Sequence, residues 1–258
     1  MAVRVSLLLG AQLAAFWPVW RWLGSRLNDG SELAGAALAL LAAMLLPGCG
    51  GGRSAAGLLP AAAATAAYAV AFPFAPDLVR ALLALLALAL LRLAIGPGGG
   101  GLARVGLFLL AAPVVPSLQF YLGYPLRVAV GHAASLWLRG LGLGVRAEGA
   151  GLALGERLIL VDAPCSGVVM LWGTLFVSCA AAIVCGLGAR ASLALCGAGL
   201  LLSLAGNSIR AAGLFLGEAE ILLLPPLMHD AAGLVTFGIT AACIGELARR
   251  RGGAACAG

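Results

Sequence analysis

Three short polar segments, separated by long apolar runs, contain the side chains with the greatest potential for chemistry. They are Asp162 to Gly167, Asn207 to Arg210, and His229-Asp230. In acyl transfer a thiolate attacks a carbonyl carbon, an imidazole moves the proton of the leaving amine, and a fixed cation stabilises the oxyanion. Cys165, His229 and Arg210 can fill these roles, and no other combination in the sequence covers all three.

The setting of Cys165 distinguishes it from the other cysteines of the sequence. Pro164 precedes it and a predicted helix follows it, and a helix N-terminus stabilises the thiolate form of cysteine. We therefore expect Cys165 to be catalytic, with four supporting residues: Asp162, Ser166, Gly167 and Asn207. Taken singly, Arg210 could equally be a snorkelling interfacial arginine, and His229 could simply bond to a loop carbonyl.

Membrane-spanning helices must position these residues. Of the 258 residues, 62% are hydrophobic and 10% are charged, and the mean hydropathy is +1.07, whereas soluble domains carry about 25% charged residues. The sequence therefore predicts an all-α polytopic membrane protein. Apolar windows long enough to cross a bilayer predict eight spans, at 5–22, 33–47, 56–72, 78–95, 104–121, 167–186, 191–208 and 230–248.

The distribution of charge predicts the orientation of these spans. The Arg249 to Arg251 run favours a cytoplasmic C-terminus, and an even number of spans puts the N-terminus on the same side. That side then holds eight arginines against Glu246 alone, whereas the other side holds eight arginines and nine acidic residues. All three polar segments consequently meet the extracytoplasmic face of the cytoplasmic (inner) membrane. Because the arginines are otherwise scattered singly, we expect no nucleic-acid partner.

The predicted organisation is one integral membrane domain over residues 1–258, with a helical scaffold at 1–104 and a catalytic core at 105–250. Two segments outside the spans interrupt the core. The first begins as an extracytoplasmic amphipathic helix in the interface plane, followed by a small β-hairpin before the sixth span. The second, at 209–230, contains charges and two prolines, which favours a re-entrant or surface-lying segment over a ninth span.

The order of the motifs resembles that of the exosortase and archaeosortase family of membrane cysteine transpeptidases. The motifs are Tyr124-Pro125-Leu126, Leu141-Gly142 with Val145 and Glu148-Gly149, Cys165-Ser166-Gly167, Asn207-Ser208-Ile209-Arg210, and His229 with Gly233. The resemblance covers roughly 116–238. It implies that Cys165 is the nucleophile, that Arg210 binds the oxyanion or a substrate carboxylate, and that His229 is the general acid and base.

The resemblance also implies the partners of the protein. The substrate would be an exported protein with a C-terminal sorting signal, which consists of a short motif, a transmembrane helix and a basic cluster. Cleavage would release that helix and leave a thioester on Cys165, which an amine or another acceptor then resolves. By this resemblance the reaction would take place at the lipid bilayer and would require no metal and no organic cofactor.

Three other hypotheses stay open on the sequence alone. Ser166 with His229 is compatible with a serine intramembrane protease, and Asp162 with Asp230 is compatible with an aspartyl protease. The third hypothesis is a transporter or a non-catalytic assembly protein, in which Arg210 and a nearby glutamate, Glu218 or Glu220, bind a solute.

Overall fold

A computed structural model describes residues 2–26, 33–47, 58–95, 101–161, 166–222, 225 and 228–252. The described residues form ten helices, namely α1 (Ala2–Ala15), α2 (Trp17–Ser25), α3 (Leu33–Leu45), α4 (Leu58–Ala71), α5 (Asp77–Ile95), α6 (Gly101–Leu110), α7 (Val115–Gly140), α8 (Val168–Val184), α9 (Ala189–Glu218) and α10 (Met228–Gly252). They also form three strands, namely β1 (Val145–Glu148), β2 (Gly151–Leu154) and β3 (Arg157–Leu160). Asp162 and Cys165 lie outside the described residues, and so does the side chain of His229.

Several of these helices have the length and composition of membrane spans. Within the described residues, α5, α9 and the Ala231–Gly252 part of α10 are long and apolar enough to cross a bilayer. The pair α6 and α7 meets the same test if it counts as one span that is broken between the two helices. The chain is therefore a largely helical membrane protein, and the eight predicted spans stay a prediction.

The contacts within the chain define two compact units. The first comprises Met1–Val114, Ser178–Leu195 and Leu247–Gly258, and the second comprises Val115–Val177 and Cys196–Glu246. Both units are discontinuous in sequence. The predicted division into a scaffold at 1–104 and a catalytic core at 105–250 stays a prediction.

Helix α5 is the central element of the first unit, where α4 and α6 both pack against it. Much of its surface consists of buried alanine and leucine, and small side chains let apolar helices approach closely. Asp77 in its first turn and Arg92 in its last turn have the charges that the helix macrodipole favours at each end. The small apolar side chains therefore favour the close packing of α5, and the terminal charges stabilise its two ends.

Arg104 is a buried cation in the same unit, with 1% of its surface exposed. Its guanidinium nitrogens Nη1 and Nη2 donate hydrogen bonds to the carbonyl oxygens of Ala43 and Leu46. These carbonyls lie at the end of α3, where a helix has no further N–H groups of its own to offer. Arg104 of α6 therefore caps α3.

Replacing Arg104 with methionine should lower the thermal stability of the protein. The two carbonyls lose a charged donor, and hydrogen bonds of this kind contribute about 1.5 to 3 kcal/mol each. Thermal unfolding of the purified protein in detergent measures the change. Arg190→Met, at an exposed position of the same unit, is the matched control and should unfold like the wild type. An unchanged melting temperature for Arg104→Met would contradict the capping role.

The second unit has a core that joins α7, the sheet and α9. The buried residues of this core are Val130, Ala134 and Leu138 from α7, Val145, Leu152 and Val161 from the strands and the residue after them, and Ala211, Ala212 and Phe215 from α9. In the sheet, β2 lies between β1 and β3 and pairs antiparallel with both. The turn before β2 contains Gly149 and the turn after it contains Gly155, with φ of +58° and +61°. Glycine adopts this conformation without strain.

The structure differs from the sequence prediction at three places in this region. The chain bends between α6 and α7, within the predicted span 104–121, where Pro113 and Pro116 disfavour a continuous helix. The predicted interfacial helix is the C-terminal part of α7, and a three-stranded sheet occupies the place of the predicted hairpin. Helix α9 continues without a break past residue 208 to Glu218, because no proline interrupts this part of the sequence.

Candidate active site

Asn207 of α9 packs against the segment that follows Cys165 in the sequence. Its side chain is 1% exposed, and a Cβ added to Gly167 would lie 2.8 Å from its Nδ2 atom. Gly167 also has a φ of +84°, which other residues adopt only with strain. Both observations explain why this position is glycine. The start of α8 is thus held directly against α9.

Ser166 is tied to both neighbouring segments. Its hydroxyl donates a hydrogen bond to Oε1 of Gln119 on α7, at 2.9 Å, and accepts a hydrogen bond from the backbone N–H of Val168 at 3.4 Å. The residue is 2% exposed. A buried hydroxyl with these partners is suited to fixing the backbone beside Cys165, and it is poorly placed to be a nucleophile itself.

Arg210 lies against α10, and it is three residues after Asn207 on the same face of α9. Its Nε and Cζ atoms are 3.4 Å and 3.5 Å from the position that a Cβ on Gly233 would take. The guanidinium therefore lies beside Gly233, at ordinary van der Waals distance from the place of a Cβ there. His229 precedes Gly233 by one helical turn in α10, so the two positions share a helix face.

A further hydrogen bond fixes α9 beside the site. The indole N–H of Trp137 on α7 donates to the hydroxyl of Ser208, at 3.0 Å, and Ser208 is fully buried. Because Ser208 follows Asn207 directly, this bond restrains the turn of α9 that carries both Asn207 and Arg210.

Gln119 is a site residue that the sequence analysis missed. It lies in the first turns of α7 and accepts the hydrogen bond from Ser166. The sequence contained a signal for it, because Gln119 is a polar amide within the predicted span 104–121. Polar side chains inside a membrane span usually have a hydrogen-bond partner or a function. The identity of its partner depends on tertiary structure and could not be predicted.

The glutamates of the transporter hypothesis are not gathered at Arg210. Glu218 is eight residues further along α9, which is about 12 Å along the helix axis. Glu220 is exposed and forms an ion pair with Arg157, at 3.3 Å. Within the described part of the chain, no three His, Cys, Asp or Glu side chains form a cluster that could hold a metal ion.

The sequence also matches a known protein family over most of its length. The family model for transmembrane exosortases matches residues 6–245, which is nearly the whole chain. The chain belongs to the transmembrane exosortase family. No curated protein and no solved structure matched it.

Replacing Gly167 with alanine should destabilise the second unit for two separable reasons. The left-handed backbone costs an alanine about 1 to 2 kcal/mol, and its Cβ would also clash with Asn207. Asn207→Ala removes the clash, so that only the backbone strain persists in the double variant. Gly167→Ala should therefore lower the free energy of unfolding less in the Asn207→Ala protein than in the wild type. Thermal unfolding in detergent measures the four proteins of this cycle.

The matched control for this cycle is Gly213→Ala in the same unit. Gly213 has ordinary helical backbone and open space around it, so alanine should be tolerated or slightly stabilising there. Strict additivity of the two changes in the free energy of unfolding would show that an alanine at position 167 does not meet Asn207. That result would contradict the packing described above.

Proposed function

We propose that this protein is a membrane-embedded cysteine transpeptidase that cleaves C-terminal sorting signals of exported proteins. Members of the exosortase family sit in a membrane and act on exported proteins that carry sorting signals. In the proposal, Cys165 is the nucleophile, Arg210 binds the developing oxyanion or a substrate carboxylate, and His229 is the general acid and base. Asp162, Ser166, Gly167 and Asn207 support these three residues.

The contact of α9 with the start of α8 and with α10 is the observation that carries the proposal. Cys165 is two residues from Gly167 in the sequence, so the two Cα atoms lie within about 7 Å of each other in any conformation. Gly167 touches Asn207, and Arg210 follows one helical turn later. Arg210 lies beside Gly233, which is one turn from His229. These contacts support a common site for the three proposed catalytic residues.

The proposed reaction proceeds in two steps, the formation of a thioester and its resolution. In the first, the Cys165 thiolate attacks the scissile carbonyl carbon, and Arg210 stabilises the oxyanion. The carbon–nitrogen bond then breaks, and the leaving amine takes a proton from the His229 imidazolium, which leaves a thioester on Cys165. In the second step an acceptor amine, or another nucleophile, gives its proton to His229 and attacks the thioester, which releases the thiolate.

The proposed topology gives the substrate a simple path to this site. With both termini of the enzyme in the cytoplasm, the three polar segments face the extracytoplasmic side. A substrate helix whose basic cluster stays in the cytoplasm would end on that same side. The scissile bond, next to the recognition motif, would then reach the enzyme at the membrane surface without unfolding of the transmembrane segment.

The described contacts disfavour the serine-protease and the solute-binding alternatives, whereas Asp162 and the side chain of Asp230 lie outside the described residues. The Ser166 hydroxyl donates to Gln119 and is buried, whereas a serine nucleophile needs a base and access to substrate. Glu220 is paired with Arg157, and Glu218 lies two turns from Arg210. The transpeptidase is therefore the function we propose.

Arg210→Lys should abolish processing while the protein remains inserted and stable. Lysine keeps the positive charge but cannot reproduce two directed donors in a planar fork, and losing one oxyanion donor typically costs on the order of 10²-fold in turnover. An immunoblot of a tagged sorting-signal substrate, in cells that carry each variant, measures the cleaved fraction.

Arg139→Lys provides the matched control for this experiment. Arg139 is exposed in the last turn of α7, so its replacement should leave cleavage at the wild-type level. Cleavage by Arg210→Lys at that same level, with equal amounts of both proteins in the membrane, would refute the role proposed for Arg210.

A further inference from the structure

Strand β3 is an edge of the sheet, and half of its backbone groups point away from β2. The N–H of Val161 donates to the carbonyl of Ala150 at 2.9 Å, which fixes the alternation of the β2–β3 ladder. Since hydrogen-bonded and non-hydrogen-bonded pairs alternate along an antiparallel ladder, Arg157 and Ile159 bond to β2. The N–H and C=O groups of Leu158 and Leu160 therefore face outward.

The outward edge has no strand partner among the described residues, in which the sheet order is β1-β2-β3. Leu158 and Leu160 are also 52% and 64% exposed. Their side chains lie on the sheet face opposite to Ile159, which packs on the core of the second unit. A free edge with apolar side chains at every second position is the surface to which an extended peptide can add as a further strand.

The position of β3 in the sequence indicates which peptide would bind there. Leu160 is five residues before Cys165, so the strand leads directly into the segment of the proposed nucleophile. Five extended residues span at most about 17 Å. A peptide that pairs with β3 would consequently hold its neighbouring residues within reach of the thiol, whereas a lipid chain could not satisfy the outward N–H and C=O groups.

We propose that the outward edge of β3 binds the extended part of the substrate next to its scissile bond, as a fourth strand of the sheet. The inference rests on the proposed transpeptidase function and adds a mode of substrate recognition. Backbone hydrogen bonds to Leu158 and Leu160 hold the peptide in register, and the two leucine side chains contact alternate substrate residues. Recognition then combines backbone pairing, which tolerates many sequences, with a few side-chain contacts.

A scan of backbone N-methylation in the substrate tests this mode of binding. The full-length enzyme in detergent is given synthetic tail peptides, each with one N-methyl group at a successive position before or after the scissile bond. Strand pairing predicts that KM rises at every second position only, because alternate N–H groups point toward β3. The loss of one hydrogen bond predicts an increase of about threefold to tenfold at those positions.

The matching change in the enzyme is Leu158→Pro, compared with Leu158→Ala. Proline removes the outward N–H but leaves the β2–β3 bonds intact, and edge strands tolerate it at such positions. We expect Leu158→Pro to raise KM by about threefold to tenfold beyond any effect of Leu158→Ala, with little change in kcat. The melting temperature and the alkylation of Cys165 verify that both variants fold, and the peptide scan tests the proposal independently of them.

The outcomes separate this inference from the proposed function. A KM that is insensitive to N-methylation, or equally sensitive at successive positions, overturns strand pairing while loss of cleavage in Cys165→Ala still supports the transpeptidase. Cleavage by Cys165→Ala overturns the proposed function itself. If Leu158→Pro dissociates a dimer without changing KM, the edge joins two copies of the chain and the inference is wrong.

Discussion

The close packing of polar α9 side chains against two glycines is the constraint on which the proposed site depends. Asn207 fills the space that a Cβ on Gly167 would need, and the guanidinium of Arg210 lies 3.4 to 3.6 Å from the position that a Cβ on Gly233 would take. Glycine at 167 lets Asn207 pack closely on the segment that begins α8, and Gly233 places no side chain between α10 and the Arg210 guanidinium. The proposed catalytic residues are 45 and 19 positions apart in the sequence, and these two contacts bring their segments to one helix.

The length of α9 explains how such a polar turn is compatible with a membrane helix. Its 30 residues extend for about 45 Å, which exceeds the roughly 30 Å hydrocarbon core of a bilayer. Arg210 lies 21 residues after Ala189, a rise of about 32 Å. A helix that begins at one interface therefore carries Arg210 to the level of the other, where its charge costs far less than at the centre of the bilayer.

The family and the helical membrane character could be predicted from the sequence because both depend on local patterns. Hydropathy depends on composition alone, and the ordered motifs keep their spacing whatever the tertiary structure. The bend before α7 was also predictable in principle, since Pro113 and Pro116 are visible in the sequence. The hydropathy of an apolar window, however, does not depend on whether a residue has a backbone N–H to continue the helix. The contact between Ser166 and Gln119 joins residues that are 47 positions apart, and no local pattern specifies it.

The covalent state of Cys165 during turnover tests the account most directly. The purified enzyme is mixed with a substrate tail, quenched, digested and examined by mass spectrometry. We predict that the peptide containing Cys165 carries the substrate fragment, that neutral hydroxylamine releases this fragment as a thioester requires, and that Cys165→Ala lacks it. Cleavage that continues without this adduct, or a hydroxylamine-stable adduct on Ser166, would contradict the proposal that Cys165 is the nucleophile.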